Sequence, residues 1–176
     1  MRTVTYGAAC SLDGFIAGPN GEMDWLDFSK DAQSIMGEYW KTIDTILLGR
    51  LTYEHAVKSG GGSGEGFPGV VTYLFSRTMT ASPDPAVQLI REDAAGVVRR
   101  LKEQSGKDIC VMSGGALAKS FFEAGVIDVV GLNIHPVLLG SGTPLFLDPG
   151  RRMDLELDEC RRLQGGCVYL TYRVAS

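Results

Sequence analysis

Glycine at the end of an apolar run, followed at once by helix-forming residues, recurs along this 176-residue chain. From Asp108 to Phe122 the run Ile109-Cys110-Val111-Met112 meets Ser113-Gly114-Gly115 and then Ala116-Leu117-Ala118-Lys119-Ser120-Phe121-Phe122. The pattern predicts a strand, a turn and a helix. Two adjacent residues without Cβ let a bulky anion approach the backbone, and the first N–H groups of the helix, lacking intrahelical partners, point at it. Leu47-Leu48-Gly49-Arg50-Leu51-Thr52 repeats the arrangement, with a guanidinium able to fork onto phosphate oxygens and a hydroxyl in the first helical turn. The run Val70 to Phe75 likewise ends in Ser76-Arg77-Thr78, residues suited to an anion at the same sheet edge. Each place has a plainer alternative: Gly-Gly also serves simply to turn a strand into a helix, and Arg50 and Arg77 also suit salt-bridged or solvated positions. Together, three such exits suit a long ligand with phosphates at more than one place, as in a dinucleotide with an additional phosphate. No Gly-x-Gly-x-x-Gly follows the first strand, which disfavours an ordinary Rossmann domain.

The elements that must position these turns alternate. Strands are predicted near 3–10, 43–48, 70–76, 86–90, 108–112 and 127–134, the early ones almost wholly apolar, as strands covered on both faces are. Met153 to Leu163 and Cys167 to Val174 alternate apolar with polar about Gln164-Gly165-Gly166, a hairpin pattern. Helices are predicted over 30–41, 51–58, 93–104 and 115–124. In the first, Ala32, Ile35, Met36, Tyr39, Trp40 and Ile43 form one stripe facing a sheet. The fold class is α/β in a single domain, a mostly parallel sheet with an antiparallel C-terminal edge. Ser59 to Gly69 is too glycine-rich to hold a shape alone and is read as a mobile surface linker, since no Gly-Lys-Ser/Thr follows to make a phosphate loop. Ser11 to Asp27, with Asp13-Gly14, Pro19-Asn20-Gly21 and Trp25, follows the first strand directly, where a loop can swing over a ligand at the sheet's carboxyl edge.

Composition narrows the partners. A formal charge of −4 and a pI near 5.2 give no basic field, which argues against nucleic acid and anionic membrane and for a small soluble ligand. The N-terminus enters strand-like residues with no signal-type segment, and charges or glycines interrupt every apolar run, so a cytoplasmic protein is expected. Cys10, Cys110, Cys160 and Cys167 show no Cys-x-x-Cys spacing, and neither disulfide nor metal site is expected.

Ser11-Leu12-Asp13-Gly14-Phe15-Ile16-Ala17, Gly49-Arg50-Leu51-Thr52-Tyr53-Glu54, Ser113-Gly114-Gly115 and Gly140-Ser141-Gly142-Thr143-Pro144-Leu145-Phe146, in that order, resemble the dihydrofolate reductase-like superfamily. Within it the chain most resembles the stand-alone relatives of the pyrimidine reductase domain of bacterial riboflavin biosynthesis. The resemblance covers essentially the whole chain. It implies an eight-strand sheet, NADPH as hydride donor and a homodimer. By position it implies that Gly49, Arg50, Leu51 and Thr52 hold the pyrophosphate and the adenosine-side phosphate, with Ser76 and Arg77 around the adenosine 2′-phosphate. Met112, Gly114, Gly115, Ala116 and Leu117 would line the other side of the pyrophosphate and the nicotinamide ribose. Ala9 and Ile16 match positions whose backbone groups bind the carboxamide, in keeping with a nicotinamide's need for directed partners and an apolar wall.

The substrate side departs from both sets of relatives. True dihydrofolate reductases hold the pterin with a carboxylate on the first helix, where this chain offers Asp31 or Gln33. Asp31 also suits the helix dipole as a first-turn acid. The riboflavin-pathway reductases usually carry an acid where Ser113 stands, which puts a ribosyl-phosphate pyrimidine in doubt. Asp13 remains, either as a carboxyl relaying the proton that must accompany a hydride or as ordinary turn chemistry. Trp25 and Phe15 suit stacking on a flat heterocycle and equally suit packing. Asn133 and His135 fall near the expected substrate pocket, the histidine read as structural. A hydrolase built on Ser113, His135 and Asp128 lacks the Gly-x-Ser-x-Gly context. The remaining rival is a binding or sensing module that keeps the nucleotide site without hydride transfer.

Overall fold

The computed structural model describes residues 1–58, 69–82 and 84–175. The glycine-rich stretch read as a linker therefore lies, apart from Gly69, outside the described residues.

Eight strands form one sheet: β1 (Val4–Ser11), β3 (Ile43–Gly49), β4 (Val71–Phe75), β5 (Val87–Ile90), β6 (Asp108–Val111), β7 (Val129–His135), β9 (Leu155–Arg162) and β10 (Val168–Val174). Their order is β5-β4-β3-β6-β1-β7-β10-β9, parallel from β5 through β7 and antiparallel at β10 and β9. The eight-strand sheet and its antiparallel C-terminal edge thus match the sequence-based expectation. Two short strands were not expected. β2 (Phe15–Ala17) and β8 (Thr143–Pro144) pair as a separate two-stranded sheet, the first inside the segment read as a loop and the second in a stretch given no element. With three and two residues they are too short to show an alternation in sequence.

Four helices cover the sheet: α1 (Lys30–Thr42), α2 (Arg50–Lys58), α3 (Ala94–Glu103) and α4 (Gly115–Glu123). Strand alternation sorts them onto two faces. Val4, Tyr6, Ile109, Val111 and Val130 pack with Val97, Val98 and Leu101 of α3 and Phe121 and Phe122 of α4. Ile46, Leu48, Leu74 and Cys110 pack on the opposite face with Tyr53 of α2 and Tyr39 and Trp40 of α1. A third cluster joins Ala32 and Ile35 of α1 to Leu163, Cys167 and Tyr169 of the C-terminal hairpin. The start of α3 shows why these segments are helical where they are. The Asp93 carboxylate accepts hydrogen bonds from the N–H groups of Ala95 and Gly96, and the apolar residues that follow recur on one face.

Candidate active site

The three strand exits singled out in the sequence stand side by side. β4, β3 and β6 are consecutive neighbours, and their register sets Gly49 opposite Phe75 and Leu47 opposite Val111. Ser76, Arg50 and Ser113 therefore lie at one level of the sheet's carboxyl edge. With strands about 4.8 Å apart, such a row is about 10 Å long, the scale of a pyrophosphate with a flanking ribose phosphate.

Close approach explains the glycines. A Cβ on Gly49 would lie 2.8 Å from Ser113 Oγ and 3.6 Å from Leu117 Cδ2, so the two turns already touch. Gly114 caps α4 in extended conformation, and a Cβ there would lie 2.5 Å from Ile16 Cδ1. Gly115 has φ +63°, the left-handed region that glycine adopts without strain. Neither α2 nor α4 has an acidic residue in its first turn, and no side chain caps α4. The N-terminal amides and dipoles of both helices are thus left without a negative group of their own to offset them. Ala116, Leu117, Leu51 and Thr52 belong to these first turns. The cationic side chains are engaged differently. Arg50 Nη1 donates to Glu54 Oε1 at 2.9 Å, while Arg77 is exposed. Ser76 Oγ accepts from the N–H groups of Thr78 and Met79, fixing its own turn.

A cavity of about 290 Å³ lies between α1 and the sheet, next to this row. Its floor consists of positions with small side chains on β1 and β7, Gly7, Ala9 and Gly131, and its walls include Phe28, Met36, Trp40, Met112 and Tyr169. The stripe on α1 does face the sheet, as its spacing indicates. The missing side chains beneath it leave space instead of core. Ala9, Met112 and Asn133 come together here. Two buried polar atoms at the cavity make no well-formed hydrogen bond among the described residues: Asn133 Oδ1, and Tyr39 Oη, which has only the Cys110 thiol and the Thr5 hydroxyl beside it. Burial pushes the Tyr39 hydroxyl far above the ordinary tyrosine range and the Cys110 thiol up to about 11, so both stay protonated. Thr5 and Tyr169 were not singled out in sequence, and Tyr39 and Cys110 only as members of the α1 stripe and of an apolar run. The available signal was glycine and alanine on strands opposite a bulky helical stripe.

The candidate acids line no part of this cavity. Asp13 accepts from Ser11 Oγ at 2.6 Å, from Leu139 N at 3.1 Å and from Gly140 N at 2.7 Å, stapling the loop after β1 to the loop after β7. These bonds, the Ser11 one foremost and Gly140 next, hold its carboxyl below the ordinary aspartate range. Asp31 likewise accepts from Ser29 Oγ, Ala32 N and, at 2.8 Å, Gln164 N, tying the start of α1 to the hairpin turn. Gln33 is exposed and donates to Phe28 O at 2.6 Å. Trp25 donates to Glu22 O and sets its ring edge-on to His135, 5.2 Å between centroids. His135 is buried, its Nε2 within hydrogen-bond distance of Asp27 N at 3.2 Å and of Asp27 O at 3.3 Å, and its Nδ1 of Asn133 O at 3.3 Å. Among the described residues no helix is long and apolar enough to cross a membrane.

Known proteins share this architecture. A structure of a riboflavin biosynthesis-type protein from Shewanella sp. PV-4 superposes with a TM-score of 0.86 at 22% identity, covering 99% of this chain and 100% of that one. Dihydrofolate reductase from Enterococcus faecalis, solved with NADP(H), superposes at 0.68 with 18% identity, covering 99% and 97%. The deaminase/5-amino-6-(5-phosphoribosylamino)uracil reductase of Thermotoga maritima superposes at 0.72 with 16% identity, this chain matching 57% of its length. The fold is thus dihydrofolate reductase-like. In sequence the chain is 34% identical to YyaP of Bacillus subtilis (strain 168) over 98% of its length and 95% of that protein. The same strain's YwjB is also 34% identical, over 97% of both chains. The model of the RibD C-terminal domain matches residues 2–169, and the protein belongs to that family.

Proposed function

We propose that the protein is an NADPH-dependent reductase that transfers hydride to a C=O or C=N bond of a small pteridine-like or pyrimidine-like heterocycle, working in the cytoplasm as a homodimer. The observation that carries this is adjacency. The row of glycine turns runs directly into the apolar cavity, because Met112 belongs both to the β6 exit and to the cavity wall. A dinucleotide phosphate held by the first places a ring at the mouth of the second. NADPH, when bound, supplies the hydride.

The chain's own residues do the rest. Gly49, Gly114 and Gly115 would admit the pyrophosphate to the amides of α2 and α4, and Ala116, Leu117, Leu51 and Thr52 of the same first turns would hold it. Arg50, by exchanging Glu54 for a phosphate, and Arg77 with Ser76 give the preference for the additional phosphate. Ala9 and Ile16 offer backbone partners to the carboxamide. Asn133 and the walls of the cavity hold the heterocycle, and apolar Met112 and Trp40 keep bulk water from its face. Trp25 closes the loop over His135. Asp31 fixes the start of α1 against the hairpin turn at the Leu163 end of the cavity, Asp13 ties the loop after β1 to the loop after β7, and the proton comes from water at the cavity mouth, since no carboxylate lines it among the described residues.

The same absence of a carboxylate favours a second reading, a nucleotide-binding module without turnover. NADPH oxidation, followed by loss of absorbance with a panel of pterins, lumazines and pyrimidines, separates the two. Turnover with any of them supports the reductase; binding of NADPH with no turnover across the panel supports the module. Light scattering at micromolar concentration checks the homodimer.

A further inference from the structure

Within the proposed reductase, the lining of the cavity limits what can be reduced. Among the described residues, no Asp, Glu, Lys, Arg or His side chain lines it. Its ionisable groups are the Tyr39 and Tyr169 hydroxyls and the Cys110 thiol, all kept neutral by burial. At the end formed by Leu163 and Tyr169 both signs are present outside the lining: Arg161 lies beside Tyr169 and ion-pairs with Glu159, while the carboxylates of Asp31 and Asp27 stand at the hairpin turn. Asp31 accepts from Gln164 N, and Asp27 stands against the turn at Gly165, where a Cβ would lie 2.8 Å from Asp27 Oδ2. Both carboxylates help to raise the thiol of Cys167, after burial. An anion entering this space would lose its hydration with no described lining cation to replace it, and the nearby Arg161 is already paired with Glu159.

The two unpartnered atoms specify what does fit. A buried polar group without a hydrogen bond is uncommon and destabilising, and one that lines a cavity is satisfied by a ligand of the complementary kind. Tyr39 Oη has a proton to donate, and Asn133 Oδ1 is an acceptor. A floor of Gly7, Ala9 and Gly131 facing Trp40 and Tyr169 suits a flat ring, and the volume of about 290 Å³ lies just below the roughly 300–1,000 Å³ found for small-molecule sites. We propose that the cavity accepts an uncharged planar nitrogen heterocycle with an N–H beside a carbonyl, excludes the same ring once it bears a phosphate or carboxylate, and reads it through Tyr39 and Asn133. This rests on taking the cavity as the substrate site of the reductase.

Titration calorimetry on the full chain saturated with NADPH tests it, with uracil and lumazine as uncharged probes and orotate and uridine 5′-phosphate as anionic ones. The uncharged rings should bind at least about tenfold more tightly than the anionic ones. Tyr39→Phe and Asn133→Leu should each weaken ring binding about tenfold while lowering the melting temperature of the ligand-free protein by less than about 4 °C, since neither removes a well-formed hydrogen bond within the chain. A purely structural role would lower the melting temperature further and leave ring binding by the folded protein unchanged. Orotate or uridine 5′-phosphate binding as tightly as uracil overturns the inference and leaves the reductase standing. NADPH binding with no affinity for either uncharged ring also overturns it. Ring binding with the expected variant pattern but no NADPH oxidation upholds the inference and removes the reductase.

Discussion

The two edges of the central sheet treat their polar groups in opposite ways. Where β1, β3, β6 and β7 begin, charges and amides are matched within the chain. Arg2, 7% exposed, donates to Asp44, Thr45 Oγ1 and Lys107 O. Lys102 of α3 holds both oxygens of Asp128 at 2.7 Å, and Asp128 accepts in turn from Val4 N at 2.9 Å. Asp108 and Asp44 accept from Thr3 N and Lys107 N. Where the same strands end, glycine replaces side chains, helix amides lack capping groups, and Tyr39 and Asn133 are left unpaired in a cavity. One edge is finished by the fold and the other is left open, the edge at which the proposed ligands would sit. The difference teaches where to look for function: a buried ion pair such as Arg2–Asp44 marks the edge that stabilises, while the candidate binding edge is marked by side chains and partners that are missing.

The largest expected effect breaks the first edge. Arg2→Ala leaves the Asp44 carboxylate with fewer partners and strips Thr45 and Lys107 of a donor. It should cost about 3 kcal/mol, about 6–12 °C in melting temperature for a domain of this size, without changing the affinity of the surviving fold for NADPH. The converse variant is Gly49→Val, which drives a branched side chain toward Ser113 and Leu117. It should reduce NADPH affinity by more than about tenfold, at a stability cost of about 1–3 kcal/mol, as calorimetry and thermal melts report. Retained affinity would mean that the glycine turns are only structural.

Tyr39→Phe and Asn133→Leu should change global stability by less than about 1 kcal/mol in the unfavourable direction, measured by urea denaturation, although both side chains are buried at their tips. A larger loss would assign these atoms to the first kind of edge.

The smallest effect concerns Asp13. Its carboxyl lies below the ordinary aspartate range when folded, so its contribution to stability is present above that range and disappears as pH falls through the lowered pKa. Asp13→Asn and wild type should therefore differ most near neutral pH and converge in acid. Turnover of Asp13→Asn should fall by less than about tenfold with an unchanged pH profile, because the residue acts through its loop. A proton donor would show a loss on the order of 10²–10⁴ and a missing limb in the profile.

The contrast between the edges was half legible in the sequence. The glycine turns could be read because an apolar run, a glycine and a helix lie next to one another in the chain, and three such exits needed only a parallel sheet to align. The staple from Asp13 to Gly140 joins residues far apart in sequence, and the same Asp-Gly pair makes an ordinary turn, so nothing local distinguishes the two roles. The cavity was hidden for a related reason. Tyr39, Trp40 and Met36 have the spacing of a core-facing stripe, and whether such a stripe meets side chains or empty space depends on which strand positions, here Gly7, Ala9 and Gly131, come to lie beneath it. The charged edge was equally invisible, since Arg2, Asp44, Lys102 and Asp128 pair only through the topology.

The most direct measurement is the melting temperature of the protein with equal concentrations of NADPH and NADH. A site formed by the α2 and α4 amides, Arg50 and Arg77 should give a clear rise with NADPH and a much smaller one with NADH. Equal shifts would remove the role given to the arginines, and no shift with either nucleotide would contradict the dinucleotide site itself.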